Sequence, residues 1–354
     1  MTTSIPHISH ITIHGSNFMR DGKRFLIRGV VYQPRRTVSR SLSDYDYSDP
    51  LRDECIDDLK ADIELFKELG VNAIKVYTFL PHLSHDAAFE ALAAANIYVL
   101  VGLSTPRICI NRLSPHDSYT PDLLKHYLQV VDDVSKYDNV FGVVAADHVV
   151  NNAETTPAAE VVRAVIRDVK RHMRQQHGSH GQRVLPVGIA DEIYAAKTTD
   201  SIAYFTAGDK EEQIDFYSFV KYDRPMDDYW DEDVQRFVGK NLPIFVSEYG
   251  SNIIRPRHFH ETTSLFSSNV ATVLSGGFVY DFVEGSNRYG LVTTGGQKLG
   301  DFDNLKARYQ ETEVFQPQVN SNVAKLDIAQ TSFPPVSEAW RASSQIPDSL
   351  LTDV

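Results

Sequence analysis

Apolar residues recur along this chain with two alternating spacings. Short β-branched and aromatic runs separate longer stretches whose apolar positions return every three to four residues, the signature of strands joined by crossover helices in a parallel sheet. The short runs predict strands over Phe25–Tyr32, Asn72–Phe79, Ile97–Leu103, Val140–Ala146, Val184–Ile189, Asp215–Lys221, Pro243–Glu248 and Gly277–Val283. Most are apolar nearly throughout, so both faces must be covered. Among the longer stretches, Leu51–Leu69 sets Cys55, Leu59, Ile63, Leu65 and Phe66 near one face, and Gly70 supplies the stop. Similar helices are predicted near Asp122–Tyr137, Pro157–Gln175, Asp231–Val238 and Phe259–Leu274. Eight strand–helix units close most naturally as a (β/α)8 TIM barrel of the α/β class.

Two flanks fall outside this pattern. Ile11–His14 and Phe25–Ile27 flank Asp21-Gly22, which reads as an N-terminal β-hairpin able to plug the barrel floor. After Tyr309 the periodicity fades, and Phe333-Pro334-Pro335 followed by Trp340 suggests an extended C-terminal tail anchored on the barrel. The expected organisation is therefore a barrel with its hairpin over residues 1–310 and a tail over 311–354, with no repeats and no second domain.

Composition narrows the function. With 354 residues, 42% of them hydrophobic, the chain can bury one large core. Its formal charge of -12 comes from scattered acidic residues without a basic face, which excludes nucleic acid as a partner. Met1–Ser16 lacks a basic start and an apolar run, Pro347–Val354 lacks a hydrophobic tail, and no 18-residue apolar run occurs, so a cytoplasmic chain without a membrane partner is expected. Two cysteines, Cys55 in a predicted helix and Cys109 in a predicted loop, fit a reducing compartment. His82/His85 and His258/His260 sit at loop or helix edges with no partners in the sequence pattern, and no Gly-rich phosphate loop opens a helix, so neither metal nor cofactor is expected.

In such barrels the reacting groups come from the C-terminal ends of strands. That rule selects Gln33, Tyr77, Asp147, His148, Tyr222, Glu248 and the span Tyr280–Glu284. Retaining glycosidases need two carboxyl groups about 5 to 5.5 Å apart, one as nucleophile and one as acid/base. Glu248, delivered by Ile244-Phe245-Val246-Ser247 and followed by Gly250, supplies one; its structural alternative is a rim glutamate paired with Arg257. On the other wall stand Asp147 and His148, where histidine could give or take a proton near neutrality or could simply fill space. Neighbours on a strand point to opposite faces, so the two need not act together. Tyr77, Tyr222 and Tyr280 offer phenol donors and flat faces for a sugar ring, or core packing.

Several runs carry a resemblance: Arg28-Gly29-Val30-Val31-Tyr32-Gln33-Pro34, Lys136-Tyr137-Asp138-Asn139-Val140, Leu185-Pro186-Val187-Gly188, Ser247-Glu248-Tyr249-Gly250, Ser275-Gly276-Gly277-Phe278-Val279-Tyr280 and Tyr289-Gly290-Leu291-Val292. In order, over about residues 10 to 310, they resemble glycoside hydrolase family 72. Its members are secreted, usually lipid-anchored fungal enzymes that cleave internal β-1,3-glucan bonds and pass the glycosyl-enzyme to another glucan chain. The resemblance implies that Glu248 is the nucleophile, that Gln33, Tyr77, Tyr222 and Tyr280 are glucan-site positions, and that Glu284 and Asn287 belong to the last strand's polar motif.

Departures from the family cluster at the chemistry. Its Gly-Asn-Glu-Val reads here Ala146-Asp147-His148-Val149, so histidine replaces the acid/base glutamate. Gly102 replaces an aspartate at the end of strand three, and Ser251, Arg224 and Ala207 stand at cysteine positions, with Ala87 or its neighbours where the partner of Cys55 should be. These changes lead to the expectation of a repurposed intracellular enzyme using Glu248, His148 and Asp147 as acid and base on a small organic substrate, by isomerisation, cyclisation, elimination or hydrolysis. The alternatives are a β-1,3-glucan transglycosidase or hydrolase with an altered acid/base, and a non-catalytic carbohydrate-binding protein.

Overall fold

The computed structural model describes residues 8–35, 49–192, 195–223, 229–312 and 332–353. Arg224 and residues 313–331 of the tail lie outside the described residues.

The chain opens with three short antiparallel strands, β1 (Thr12–His14), β2 (Asn17–Arg20) and β3 (Lys23–Arg24). Eight further strands follow: β4 (Ile27–Val31), β5 (Ala73–Val76), β6 (Tyr98–Gly102), β7 (Val140–Asp147), β8 (Val187–Glu192), β9 (Phe216–Val220), β10 (Ile244–Tyr249) and β11 (Leu274–Val279). They close in the order β10-β11-β4-β5-β6-β7-β8-β9, the (β/α)8 barrel expected from the apolar pattern. The helices are α1 (Ile56–Leu69), α2 (Asp86–Ala94), α3 (Pro115–Ser118), α4 (Pro121–Val134), α5 (Ala158–His180), α6 (Ala195–Thr206), α7 (Asp231–Phe237), α8 (His260–Leu265), α9 (Ser268–Ala271) and α10 (Gly300–Glu311). Among the described residues no helix is long and apolar enough to cross a membrane.

Local sequence explains where the boundaries fall. Gly70 ends α1 in the left-handed region, at φ 80°, as its position after the apolar face predicts. Thr120 caps α4 by accepting from the Leu123 amide, and Pro121 fills the first turn where its missing N–H costs nothing. Cys55 ends a short 3-10 turn just before α1 instead of lying inside the helix. The fifth barrel strand runs from Val187 to Glu192, three residues later than Val184–Ile189, because Pro186 has no N–H to give the ladder. The last strand starts at Leu274 instead of Gly277, since Ser275, Gly276 and Gly277 mask a strand in the sequence. At Gly276, φ is 83° and a Cβ would lie 2.2 Å from the Ile27 carbonyl, so only glycine lets β11 approach β4. The predicted helix Phe259–Leu274 is consequently broken into α8 and α9.

The chain divides into two compact units: residues 1–100, 137–141 and 221–319 form one, and 101–136, 142–220 and 320–354 the other. In the first, the expected single hairpin is a three-stranded meander with two turns. Asp21-Gly22, both at positive φ, joins β2 to β3, and a second turn at Gly15-Ser16 joins β1 to β2. Its Phe18 packs on Phe141 and Phe245, ring centroids 5.6 and 5.9 Å away, and Phe25 packs on Tyr98 at 5.3 Å. Those partners sit at the first or second residue of their strands, so the meander covers the strand-entry end. His85 is not partnerless: it is buried, bonds Asp49 at 2.8 Å and stacks on Phe79.

In the second unit, α5 is the platform for the C-terminal segment. Trp340 is fully buried, the Arg341 and Ser343 amides bond Thr156 and Glu160, and Tyr204 donates to the Ser343 carbonyl at 2.6 Å. Phe333 lies against Arg163, 4.5 Å from guanidinium to ring. Arg167 holds the Pro347 carbonyl while Ser349 bonds Asp168.

Candidate active site

In the first unit, β10 delivers Glu248 to its C-terminal end, 5% exposed. Three donors converge on the carboxylate: Lys75 Nζ at 3.1 Å and Tyr77 OH at 2.5 Å on Oε1, and Tyr222 OH at 2.8 Å on Oε2. Lys75 and Tyr77 are two residues apart on and just after β5, so the strand's period turns both the same way. Charge-assisted bonds of this kind fix the carboxylate's orientation. Burial first, then the charge of Glu248, pushes the Tyr222 phenol far above its ordinary range, so it stays an O–H donor.

The Arg257 alternative fails. Arg257 is buried and pairs with Asp301 at 2.6 Å, and its remaining N–H groups bind the carbonyls of Gly250, Tyr280, Tyr289 and Gly290. It ties the loops after β10 and β11 together and leaves Glu248 to the other three donors.

Around that carboxylate, Tyr222, Tyr280 and Tyr289 form a triangle of rings with centroids 5.2 to 6.0 Å apart. Asn287 donates to the Tyr280 phenol at 3.0 Å. Gln33 donates from Nε2 to Asp281 at 2.5 Å. Burial pushes the Asp281 carboxyl up to about 7, with the charge of Glu248 adding to it. Glu284 accepts from the Gly290 amide at 2.5 Å, which ties its carboxylate to the loop after β11.

The second unit holds Asp147 and His148 at the end of β7. Strand neighbours need not meet, but these two do: His148 sits at φ 54°, which takes it out of the strand alternation and brings its Nε2 to 3.4 Å from Asp147 Oδ1. Its Nδ1 lies 2.9 Å from Glu192 Oε1, its amide donates to Ala190 and its carbonyl accepts from Arg112. A neutral imidazole has one N–H to give, whereas the protonated ring can serve both carboxylates. Glu192 is itself placed by Asp191, whose Oδ1 accepts the Glu192 amide and whose Oδ2 binds Ser201 and Tyr217. Sequence reasoning missed Glu192, Lys75 and Tyr289; the strand-end rule would have found Glu192 had β8 been carried to its true end.

The structure thus gathers Glu248, Tyr77, Tyr222 and Tyr280 with Asn287, places Gln33 on Asp281, and groups Asp147 with His148. Comparison with known proteins adds the lineage. The sequence profile of the family described as glucanosyltransferase matches residues 2–313. The 1,3-beta-glucanosyltransferase gel1 of Aspergillus fumigatus is 36% identical over 313 residues, 86% of this chain and 66% of that protein. The 1,3-beta-glucanosyltransferase gas1 of Schizosaccharomyces pombe is 34% identical over 349 residues, 96% of this chain and 62% of that protein. This chain therefore spans less than two thirds of either relative's length. Among solved structures, Saccharomyces cerevisiae Gas2p in complex with laminaritriose and laminaritetraose is similar at a TM-score of 0.83 and 32% identity, over 96% of this chain and 77% of that one. A Glu-to-Gln mutant of Gas2p in complex with laminaritetraose and laminaripentaose gives 0.84 and 31%, over 97% and 75%. On a family match that runs through every strand of the barrel, this chain belongs to the glucanosyltransferase family, glycoside hydrolase family 72.

Proposed function

We propose that this chain acts on β-1,3-glucan as a retaining glycosidase or transglycosidase in which His148 takes the place of the family's acid/base glutamate. The observation that carries the reading is the setting of Glu248, buried at the end of its strand and held by Lys75, Tyr77 and Tyr222. The Gas2p complexes with laminari-oligosaccharides support a glucan chain over the small organic substrate that the altered residues first suggested.

In this reading Glu248 attacks the anomeric carbon and the glycosidic bond breaks towards the departing oxygen. His148, protonated and oriented by Glu192 at Nδ1, gives that oxygen its proton. A glucan hydroxyl or water then attacks the glycosyl ester, His148 takes the proton back, and Glu248 leaves as carboxylate. Tyr222, Tyr280 and Tyr289 supply the flat faces on which sugar rings pack. An intracellular location remains part of the proposal, supported by the unpaired Cys55 and Cys109.

Laminaripentaose incubated with the purified chain tests it, with product lengths read by mass. Products longer than the donor, lost in Glu248→Gln, are expected. Pentaose bound but unchanged at every pH would leave a carbohydrate-binding protein; neither binding nor turnover would return the question to another substrate.

A further inference from the structure

Asp281 has no role in the reaction just described, yet it is 4% exposed beside the nucleophile. Its Oδ2 accepts from Gln33 Nε2 at 2.5 Å, and its Oδ1 makes no hydrogen bond among the described residues. Gln33 is half-buried at the mouth, just past β4. Its amide nitrogen is thus committed to the protein, and its carbonyl oxygen remains for a ligand.

We propose that Asp281 is a positioning residue whose protonation state decides which end of the Gln33 amide faces the glucan. Ionised, Asp281 can only accept, so it takes the amide N–H and turns the Gln33 carbonyl towards a sugar hydroxyl. Protonated, it gains an O–H that bonds best to the Gln33 carbonyl, so the amide turns over and offers N–H instead. A glucose hydroxyl can meet either end, but the hydroxyl's other bonds fit only one of them. Binding therefore changes with pH through a residue that does not touch the sugar.

The charges facing Asp281 set where the change falls. Glu248 on β10 opposes its ionisation, while Arg257 on the following loop favours it. Lys75 on β5 neutralises part of the Glu248 charge, and Tyr280, beside Asp281 in sequence, remains a neutral phenol. Burial outweighs the favourable partners, which puts the transition at about 7.

This rests on the glucan reading only for its ligand, and the test separates the two. Isotope-labelled glutamine side chains are followed by NMR in the free protein across about pH 5.5 to 8.5, with Gln33 assigned by its loss in Gln33→Ala. The Gln33 amide signals should titrate near neutrality in the wild type and stay flat in Asp281→Asn. Laminaripentaose affinity should then shift by about fivefold across the same range in the wild type, and less than twofold in Asp281→Asn. Flat Gln33 signals in the wild type, or a titration that survives in Asp281→Asn, would overturn the proposal whether or not glucan binds. A titrating Gln33 with pH-independent pentaose affinity would overturn its link to binding. If Asp281→Asn fails to fold, the wild-type titration alone decides.

Discussion

The surroundings of Glu248 and of His148 differ in how firmly each residue is determined. Glu248 is buried, and its three donors come from β5 and from the segment after β9, so no single neighbour sets its position. His148 and its partner Glu192 are each about a third exposed, at 30% and 32% of the side chain, and the ring stands in a left-handed backbone conformation. A rigid, multiply bonded nucleophile demands the same residues wherever its chemistry is kept. A partly exposed acid needs only a proton donor of suitable pKa, and several side chains can provide one.

The comparison can be broken most directly at Glu248. Glu248→Gln should leave no measurable transfer, and Lys75→Met, which removes one charge-assisted bond, should lower kcat/KM by about 10- to 100-fold with KM little changed. Product analysis on laminari-oligosaccharides checks both. An active Glu248→Gln would move the chemistry elsewhere.

At His148 the effect should depend on the leaving group. His148→Ala should slow turnover of laminari-oligosaccharides by about 10²-fold or more, and hardly slow a glucosyl fluoride, whose departing fluoride needs little protonation. Equal losses on both donors would make His148 a structural residue. A smaller change is expected for Glu192→Gln, about tenfold or less at this exposure, with the alkaline limb of the kcat/KM profile, which His148 sets as general acid, displaced. An unmoved profile would remove Glu192 from the proton path.

How much of this was legible in the sequence follows from the same contrast. Eight apolar runs gave the barrel, and the strand-end rule gave Glu248, Tyr77 and Tyr222, because a strand's period carries direction as well as secondary structure. Lys75 escaped because a lysine inside Ala73–Val76 signals nothing until Glu248 is found opposite it. Glu192 escaped because Val184 and Leu185 look like strand while the ladder starts after Pro186. The contact between Asp147 and His148 was hidden for a deeper reason: histidine does not advertise a positive φ as glycine does, so the alternation rule pointed them apart. Residues just past a correctly bounded apolar run could be read; a lysine inside a run, a residue past a misplaced boundary and a contact set by a positive φ could not.

The smallest effect concerns stability, and it sharpens the contrast by asking whether the firmly built region carries a cost. Glu261 on α8, in the same unit as Glu248, is buried and its carboxyl is pushed up to about 7 by that burial, with Arg257 only partly offsetting it. A carboxyl with a raised pKa binds its proton more tightly in the folded state than in the unfolded chain. Its contribution is therefore complete below the ordinary carboxylate range and is lost as pH rises towards about 7, by up to about 1.4 kcal/mol per pH unit. Glu261→Gln removes the ionisation and keeps the shape, so its melting temperature should gain on the wild type between about pH 5 and 8. Thermal unfolding of the two proteins at both ends of that range measures the difference. A gap between them that does not widen with pH would mean that Glu261 is already ionised in the fold, through contacts stronger than its burial.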